Sequence, residues 1–444
     1  MRIHVQAAIP LVLVVGLLGG CAPELRDPPA AWKEGPIGDM HAETAVRFGG
    51  AGTRVLSSIA VRPSGESLLA GHFQGQVDIG LGATPSTGSE DLMLVRLDPT
   101  GAPKSLIHAG GTGVARVRAV AARSDGSAVL AGDFTGGFDL GATKLESAGG
   151  WDVFLATLGA DDEISFAQRF GDPGEQTATC MGLGEDGQIV VAGSLSGTID
   201  LGEDELESLG EHDVFQQAKA VAVDSSGVVV VGEFEGELQV GDESLKSAGG
   251  RDVFVIALGR AGELRWVQRL GDAGDDEAAG VIVDSEGNTF VAGSFTGSVG
   301  RGGAVAVVEP EAERAAFVAV IDATGELVRV RGFGQTGVTT ARAIASKPGI
   351  GALVAVDFTG HVEMGDRGYD SAGAEDLLVF DIDKALRVHR AGSFGDPYPQ
   401  RAIAAAVDGK GDTLLIGDFM GTLSTAAGSI QSLEGDEPFW MRIQ

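Results

Sequence analysis

Short apolar runs alternate with glycine-rich turns along nearly the whole chain, and no stretch of the repeating region sustains a helical period. One stretch, Ala220 to Asp272, contains the full pattern. Val221-Ala222-Val223-Asp224 is a short apolar run, Ser225-Ser226-Gly227 a turn, and Val228 to Val231 a β-branched run. Together these predict a hairpin. A polar excursion follows to Gly250, with Leu245 as an apolar peg, and Asp252 to Leu258 reads as a third strand. After the turn Arg260-Ala261-Gly262-Glu263, Leu264 to Gly271 alternates apolar and polar residues, as a half-exposed outer strand should.

The hairpin ends in a box, Gly-x-Phe-x-Gly in its fullest form, and this box recurs. Copies start at positions 71, 132, 193, 232, 293, 356 and 417, so the steps are 61, 61, 39, 61, 63 and 61. A fixed period of this length means stacked copies of one supersecondary unit. Four short strands per unit with glycine-rich turns match a blade of a β-propeller. The expected fold is therefore all-β, a seven-bladed propeller of roughly 61-residue repeats. The repeating Phe is assigned to packing between blades, and the glycines beside it to tight turns.

The phrases Ala222-Val223-Asp224-Ser225-Ser226-Gly227, Val291-Ala292-Gly293-Ser294-Phe295-Thr296-Gly297 and Ala248-Gly249-Gly250-Arg251-Asp252-Val253-Phe254-Val255 resemble the bacterial β-propeller-repeat (SBBP-type) proteins. The resemblance runs over residues 45 to 444 and implies a fold, not an activity. The repeat is also similar to the NHL type, which implies that the first strand of each unit is innermost.

Two departures from the period carry information. The last unit stops at its third strand, Glu437 to Ile443, while the chain opens the repeat region with an orphan outer strand, Thr44-Ala45-Val46-Arg47-Phe48-Gly49. The N-terminal strand is expected to complete the C-terminal blade and so remove free sheet edges. The 39-residue step leaves one blade without an outer strand, because His212-Asp213-Val214-Phe215 begins a third strand and the chain then runs into the next inner one. The junction Phe215, Gln216, Gln217, Ala218 and Lys219 is the candidate partner edge, where an incoming strand would supply the missing ladder.

The first residues lie outside this pattern. Arg2 and the apolar run Ile9 to Leu18 read as a signal peptide, too short to span a bilayer. Leu18-Gly19-Gly20-Cys21 resembles a bacterial lipobox, which implies cleavage before Cys21 and acylation of its thiol. Three segments follow: a lipoprotein signal peptide at 1–20, a proline-bearing flexible tether at 21–42, and a propeller domain at 43–444. By the same resemblance, Ala22 in place of the Asp of an inner-membrane retention signal implies the outer membrane. With Cys180 the only other cysteine, an exported domain must be held by its core rather than by disulfides.

The net charge of −31 excludes a basic nucleic-acid footprint and suits a soluble surface at the cell envelope. Gly182-Leu183-Gly184-Glu185-Asp186-Gly187 spells G-x-G-x-x-G but falls on a hairpin turn, with no helix to present to a phosphate. The histidines occupy unlike repeat positions. The acidic loops Asp172-Pro173-Gly174-Glu175 and Asp272-Ala273-Gly274-Asp275-Asp276-Glu277 could hold Ca²⁺, yet no loop has EF-hand spacing and a solvated rim is the preferred reading. No catalytic, cofactor or metal residues are assigned. The expected function is a monomeric, lipid-anchored binding or scaffolding module for a protein or glycan. The alternative is an enzyme acting on extracellular glycans or proteins through loop carboxylates.

Overall fold

A computed structural model describes residues 36–184, 186–200, 205–207, 216–301, 304–309 and 311–444, with the short segments 5–6 and 11–12. Every regular element among them is a strand. The first unit runs Gly52–Val61, Ser67–Val77, Asp91–Leu97 and Pro103–Ala109, each strand antiparallel to the one before. The second repeats this order in Ala115–Ala122, Ala128–Phe134, Asp152–Leu158 and Ile164–Phe170. In the third, Gln176–Leu183 and Ile189–Leu195 form a hairpin. The fourth is Gln216–Asp224, Gly227–Phe234, Asp252–Gly259 and Leu264–Leu270. The fifth is Glu277–Val283, Thr289–Phe295, Ala312–Ile321 and Leu327–Phe333. The sixth is Gly337–Lys347, Gly351–Phe358, Asp376–Asp383 and Val388–Phe394. First strands neighbour one another in chain order, and the last unit's, Gln400–Val407, lies beside Gly52–Val61. This is a β-propeller arrangement.

The last unit continues with Thr413–Phe419 and Glu437–Ile443 and takes its fourth strand, Ala42–Arg47, from the other end of the chain. That is the pairing the two incomplete ends call for. Arg47 also donates to Glu437 at 3.0 Å, as Arg269 does to Asp252 at 2.7 Å inside the fourth unit. The described residues of the segment assigned to the tether are packed rather than free. Gly38–Asp39 lies parallel to Arg390 and Ala391 on the outer edge of the sixth unit, and Ile37, Met40 and Ala42 are buried. The chain therefore straddles two units before it closes the last.

The polar excursion between the second and third strands is itself a two-stranded ribbon. Glu237–Val240 pairs with Glu243–Lys246, and Gly137–Leu140 with Thr143–Glu146. Leu245 does pack inward, against the fourth unit's core.

The apolar core lies between units. Leu68 and Leu94 of the first unit pack with Val117, Leu130 and Phe154 of the second. Leu414, Ile416 and Trp440 of the last unit pack with Leu69, Phe73 and Met93 of the first. Successive residues of one strand serve opposite neighbours: Val191 joins the second unit's cluster and Val190 the fourth's. The box Phe residues Phe73, Phe134, Phe234, Phe295, Phe358 and Phe419 are fully buried in these seams.

The first glycine of the box is not at a turn. It lies mid-strand, where a Cβ on Gly132 would stand 2.0 Å from the Arg116 carbonyl and 2.5 Å from the Phe154 ring. That carbonyl projects next to a β-bulge, which recurs in every first strand, as at Val117/Ala119 and Ala341/Ala343. Across the sheet a large residue covers the bare glycine: Gly132 faces Phe154, Gly232 faces Phe254, Gly293 faces Phe317 and Gly417 faces Phe439. Where Val356 replaces the glycine, the residue opposite is the smaller Leu378. The closing glycine does serve a turn, with φ of 67° at Gly136 and 78° at Gly297.

Deleting residues 43–47 should expose the edge of Glu437–Ile443 and uncover the last seam. Burying each large apolar side chain there is worth about 1.5–3 kcal/mol, against a typical domain stability of about 5–15 kcal/mol. The expected outcome is a large fall in melting temperature with aggregation. Unchanged melting and solubility in a thermal scan would rule out the seam as a stabilising element.

Candidate functional site

The face where the first strands begin gathers the loops that follow the outer strands, together with ion pairs such as Glu90–Arg116 and Glu375–Arg401. Its acids have structural partners. The Asp172 carboxylate accepts from the Gly174 amide at 2.7 Å and the Thr198 amide at 2.8 Å, which ties the loop to the ribbon of the next unit. Those hydrogen bonds, the Gly174 amide first, hold its pKa below the ordinary carboxylate range. Asp272 repeats the bonds with the Gly274 and Ser298 amides, and Asp396 with the Tyr398 and Thr422 amides. Among the described residues no three His, Cys, Asp or Glu side chains converge as metal ligands would.

Charges on the third-strand side of one unit meet charges on the first strand of the next. Glu90 accepts from Arg116 at 2.7 Å, and Glu375 from Arg401 at 2.7 Å. Between the fourth and fifth units the signs are exchanged, with Arg251 donating to Glu277 at 3.0 Å. The residue after the box's first glycine clasps the next unit too. Ser294 Oγ accepts the Ala341 amide at 2.9 Å, and Asp357 the Ala402 amide at 2.8 Å, each beside a bulge. Asp133 is held by Arg118 at 2.8 Å. The ion pairs are partly exposed and individually worth little. Their consistent placement ties unit to unit.

One acid breaks the pattern. In the third, fourth and last units a glutamine opens the first strand. Gln176 donates Nε2 to Asp172 at 2.7 Å and to the Ser196 carbonyl at 2.8 Å, while its Oε1 accepts the Asp172 amide. Gln400 makes the equivalent set. Asp276 holds this position in the fifth unit, fully buried. Its Oδ2 accepts the Asp272 amide at 3.1 Å, and its Oδ1 has no partner. Burial, with the nearby Asp252 and Asp272 carboxylates adding, pushes its pKa up to about 7. As a neutral acid it regains a donor, as the glutamines have.

The histidines sit apart. His72 lies 3.6 Å from Glu90, and burial pulls its pKa down to about 4. His108 contacts Asp91, His361 contacts Asp370 and His389 contacts Asp383, each in a different place. Burial drives the Cys180 thiol up to about 12, so it is no thiolate nucleophile. Gly182 to Gly187 contains a hairpin turn, as its sequence implied.

Of the residues singled out from sequence, Cys21 and Phe215 lie outside the described residues. Gln216, Gln217, Ala218 and Lys219 belong to the fourth unit's first strand, where Gln216, Gln217 and Ala218 face Phe234, Glu233 and Gly232. Lys219 lies 3.4 Å from Glu233. Ile189–Leu195 pairs with Gln176–Leu183 on one edge and with Leu11–Val12 on the other. Sequence reasoning named Asp276 only within an acidic loop and missed its burial, although an acid aligned with Gln176 and Gln400 was visible in the repeat register.

Comparison with known proteins adds to the fold. The β-propeller-repeat family profile (SBBP) matches residues 265–297, which run from the fourth unit's outer strand through the fifth unit's box. No curated protein matches the chain. A solved glucose dehydrogenase is 9% identical, over 89% of this chain and 98% of that one, with a TM-score of 0.36. A DUF4221-family protein from Bacteroides vulgatus is 11% identical over 91% and 98%, with a TM-score of 0.37. YCF48 bound to D1 peptide is 10% identical over 95% and 98%, with a TM-score of 0.32. Similarity at this level carries no argument about activity.

A buried acid with a raised pKa is a pH-dependent cost. The unfolded carboxyl loses its proton near 3.8 and the folded one near 7, so the folded state binds more protons in between and stability falls as pH rises. The melting temperature of the wild type should therefore drop between pH 4 and 7 relative to Asp276→Gln, and the variant should be the more stable above pH 7. Parallel melting curves across that range would refute the assignment. Reversing both members of the pair, Glu90→Arg with Arg116→Glu, should recover much of the stability that either single reversal loses. A double variant no better than the singles would show that the pairs do not couple the units.

Proposed function

We propose that this chain is a seven-bladed propeller, one blade short of its outer strand, exported and held at the outer membrane by a lipid on Cys21. There it acts as a binding or scaffolding module for a protein or glycan ligand rather than as a catalyst. The observation that carries this reading is the pairing at the candidate face. Several of its carboxylates and guanidinium groups are engaged by backbone amides or by the adjacent unit, as in Asp172, Glu90 with Arg116, and Glu375 with Arg401. A general acid or base needs a group in reach of substrate and tuned for transfer, whereas these groups hold the ring rigid. A rigid ring with loops on one face suits recognition. The apolar run before Cys21 and the net charge of −31 support export to an aqueous envelope surface.

One residue favours the alternative, an enzyme acting on extracellular glycans or proteins. Asp418 is partly exposed at the clasp position of the last box. Burial, then Asp436, pushes its pKa up to about 6, against the opposing pull of Arg401. Raised acids of this kind occur at active sites. If the chain were a hydrolase, Asp418→Asn would abolish turnover of its substrate without changing the melting temperature.

The anchor is tested by palmitate labelling and fractionation. Wild-type protein should incorporate label and sediment with membranes, while Cys21→Ser should do neither. Unlabelled wild-type protein, or a variant that still sediments, would overturn the lipid anchor. A glycan or envelope protein retained stoichiometrically by immobilised Cys21→Ser protein would support the binding role.

A further inference from the structure

Among the described residues the short third unit has a hairpin and a ribbon, with no third or fourth strand. In a complete unit the third strand leaves the face on which the second strand ended, and the fourth returns to it. Omitting both brings the chain to the next first strand on the correct face. The spacing fits: Glu146, ending the second unit's ribbon, is 30 residues before Gln176, but Glu207 is only 9 before Gln216. Two seven-residue strands and their turns do not fit in that interval.

Ile189–Leu195 is bonded along one edge to Gln176–Leu183. In the other units the opposite edge is taken by the third strand, as Asp152–Leu158 takes that of Ala128–Phe134. Here the place is held by the chain's own N-terminal run. Leu11–Val12 pairs parallel with Ile189 and Val190, and Val5–Gln6 pairs antiparallel with Leu11–Val12 on its far side. Two short strands thus follow the hairpin, in the sheet order first, second, incomer, incomer. Apolar side chains of both neighbours flank the position: Val153 and Leu155 pack with Ile189 and Val191, and Phe254 and Ile256 with Val190 and Ala192.

We propose that in the exported protein this edge accepts an extended apolar strand from a partner protein, running parallel to Ile189–Leu195. The inference rests on the export reading, because removal of residues 1–20 would vacate the position. Backbone pairing would supply the affinity, and the flanking apolar walls would select leucine and β-branched side chains, the composition of the segment now seated there. Strand addition also removes a free edge that would otherwise invite self-association.

The test is amide hydrogen exchange on the chain from residue 21 onward, carrying Cys21→Ser. The probe is a synthetic peptide with Leu-Val-Leu-Val-Val between lysines, and the control replaces its central leucine with proline, which lacks the N–H that a ladder needs. At a peptide concentration about ten times its dissociation constant, alternate amides of Ile189–Leu195 should exchange about tenfold more slowly, and the proline peptide should protect none. Three results would overturn the proposal: edge amides already protected without peptide, equal protection by the proline peptide, or protection that grows with protein concentration as the chain dimerises. If the edge fails while an envelope ligand binds elsewhere on the ring, the docking site falls and the binding-module reading stands.

Discussion

No unit of this molecule has a core of its own. A four-stranded sheet exposes two apolar faces, and here each face is buried only by the neighbouring unit, as Val190 and Val191 demonstrate by facing opposite ways from adjacent positions. Burial of apolar area is the main favourable term in folding, so the ring is stable only when the row of sheets closes on itself. The closure of the last sheet by Ala42–Arg47 follows from that constraint. So does the docking of Gly38–Asp39 on the unit before, which places the closing strand beside two sheets rather than one.

The same constraint explains the box. Adjacent sheets must approach closely near the first strands, where the bulge pushes a carbonyl toward the second strand. Only glycine leaves room for it at Gly132, Gly232 and Gly417. A bare glycine wastes packing volume, and a phenylalanine across the ladder refills it. The polar residue after this position then reaches the amide beside the next unit's bulge, as Ser294 does with Ala341 after Gly293, and Asp357 with Ala402 after Val356. Glycine, acid and aromatic thus serve one junction between units. This is why a motif repeated so faithfully says little about a ligand.

Much of this was legible in the sequence. The strand pattern of Ala220 to Asp272, the buried box Phe and the pairing of the two incomplete ends all follow from repeat register, since Arg47-Phe48-Gly49 aligns with Arg269-Leu270-Gly271. Less legible were features that depend on contacts between units. The role of the first box glycine is set by a carbonyl 16 residues away in the chain at Arg116, across a bulge no local pattern marks. The packing of Ile37 and Met40 depends on the sixth unit, more than 300 residues distant, and a proline-bearing lead-in read as a tether gives no hint of it. Gln216 to Lys219 belong to a first strand paired with Gly227–Phe234, a placement set by the register of the whole repeat rather than by the local sequence.

Keeping that register is what makes the short unit tolerable. Losing one strand would leave the chain on the wrong face and force a crossing connection, which folds avoid. Losing an antiparallel pair preserves direction, register and the inner ring: Gln216 opens the next first strand as Gln176 and Gln400 open theirs. The energetic loss is then confined to the outer half of one sheet, while Ile189, Val190, Val191 and Ala192 still bury both faces against their neighbours. The ring can stay closed with an outer place unfilled by its own repeat, so the short unit is where the fold constrains the sequence least.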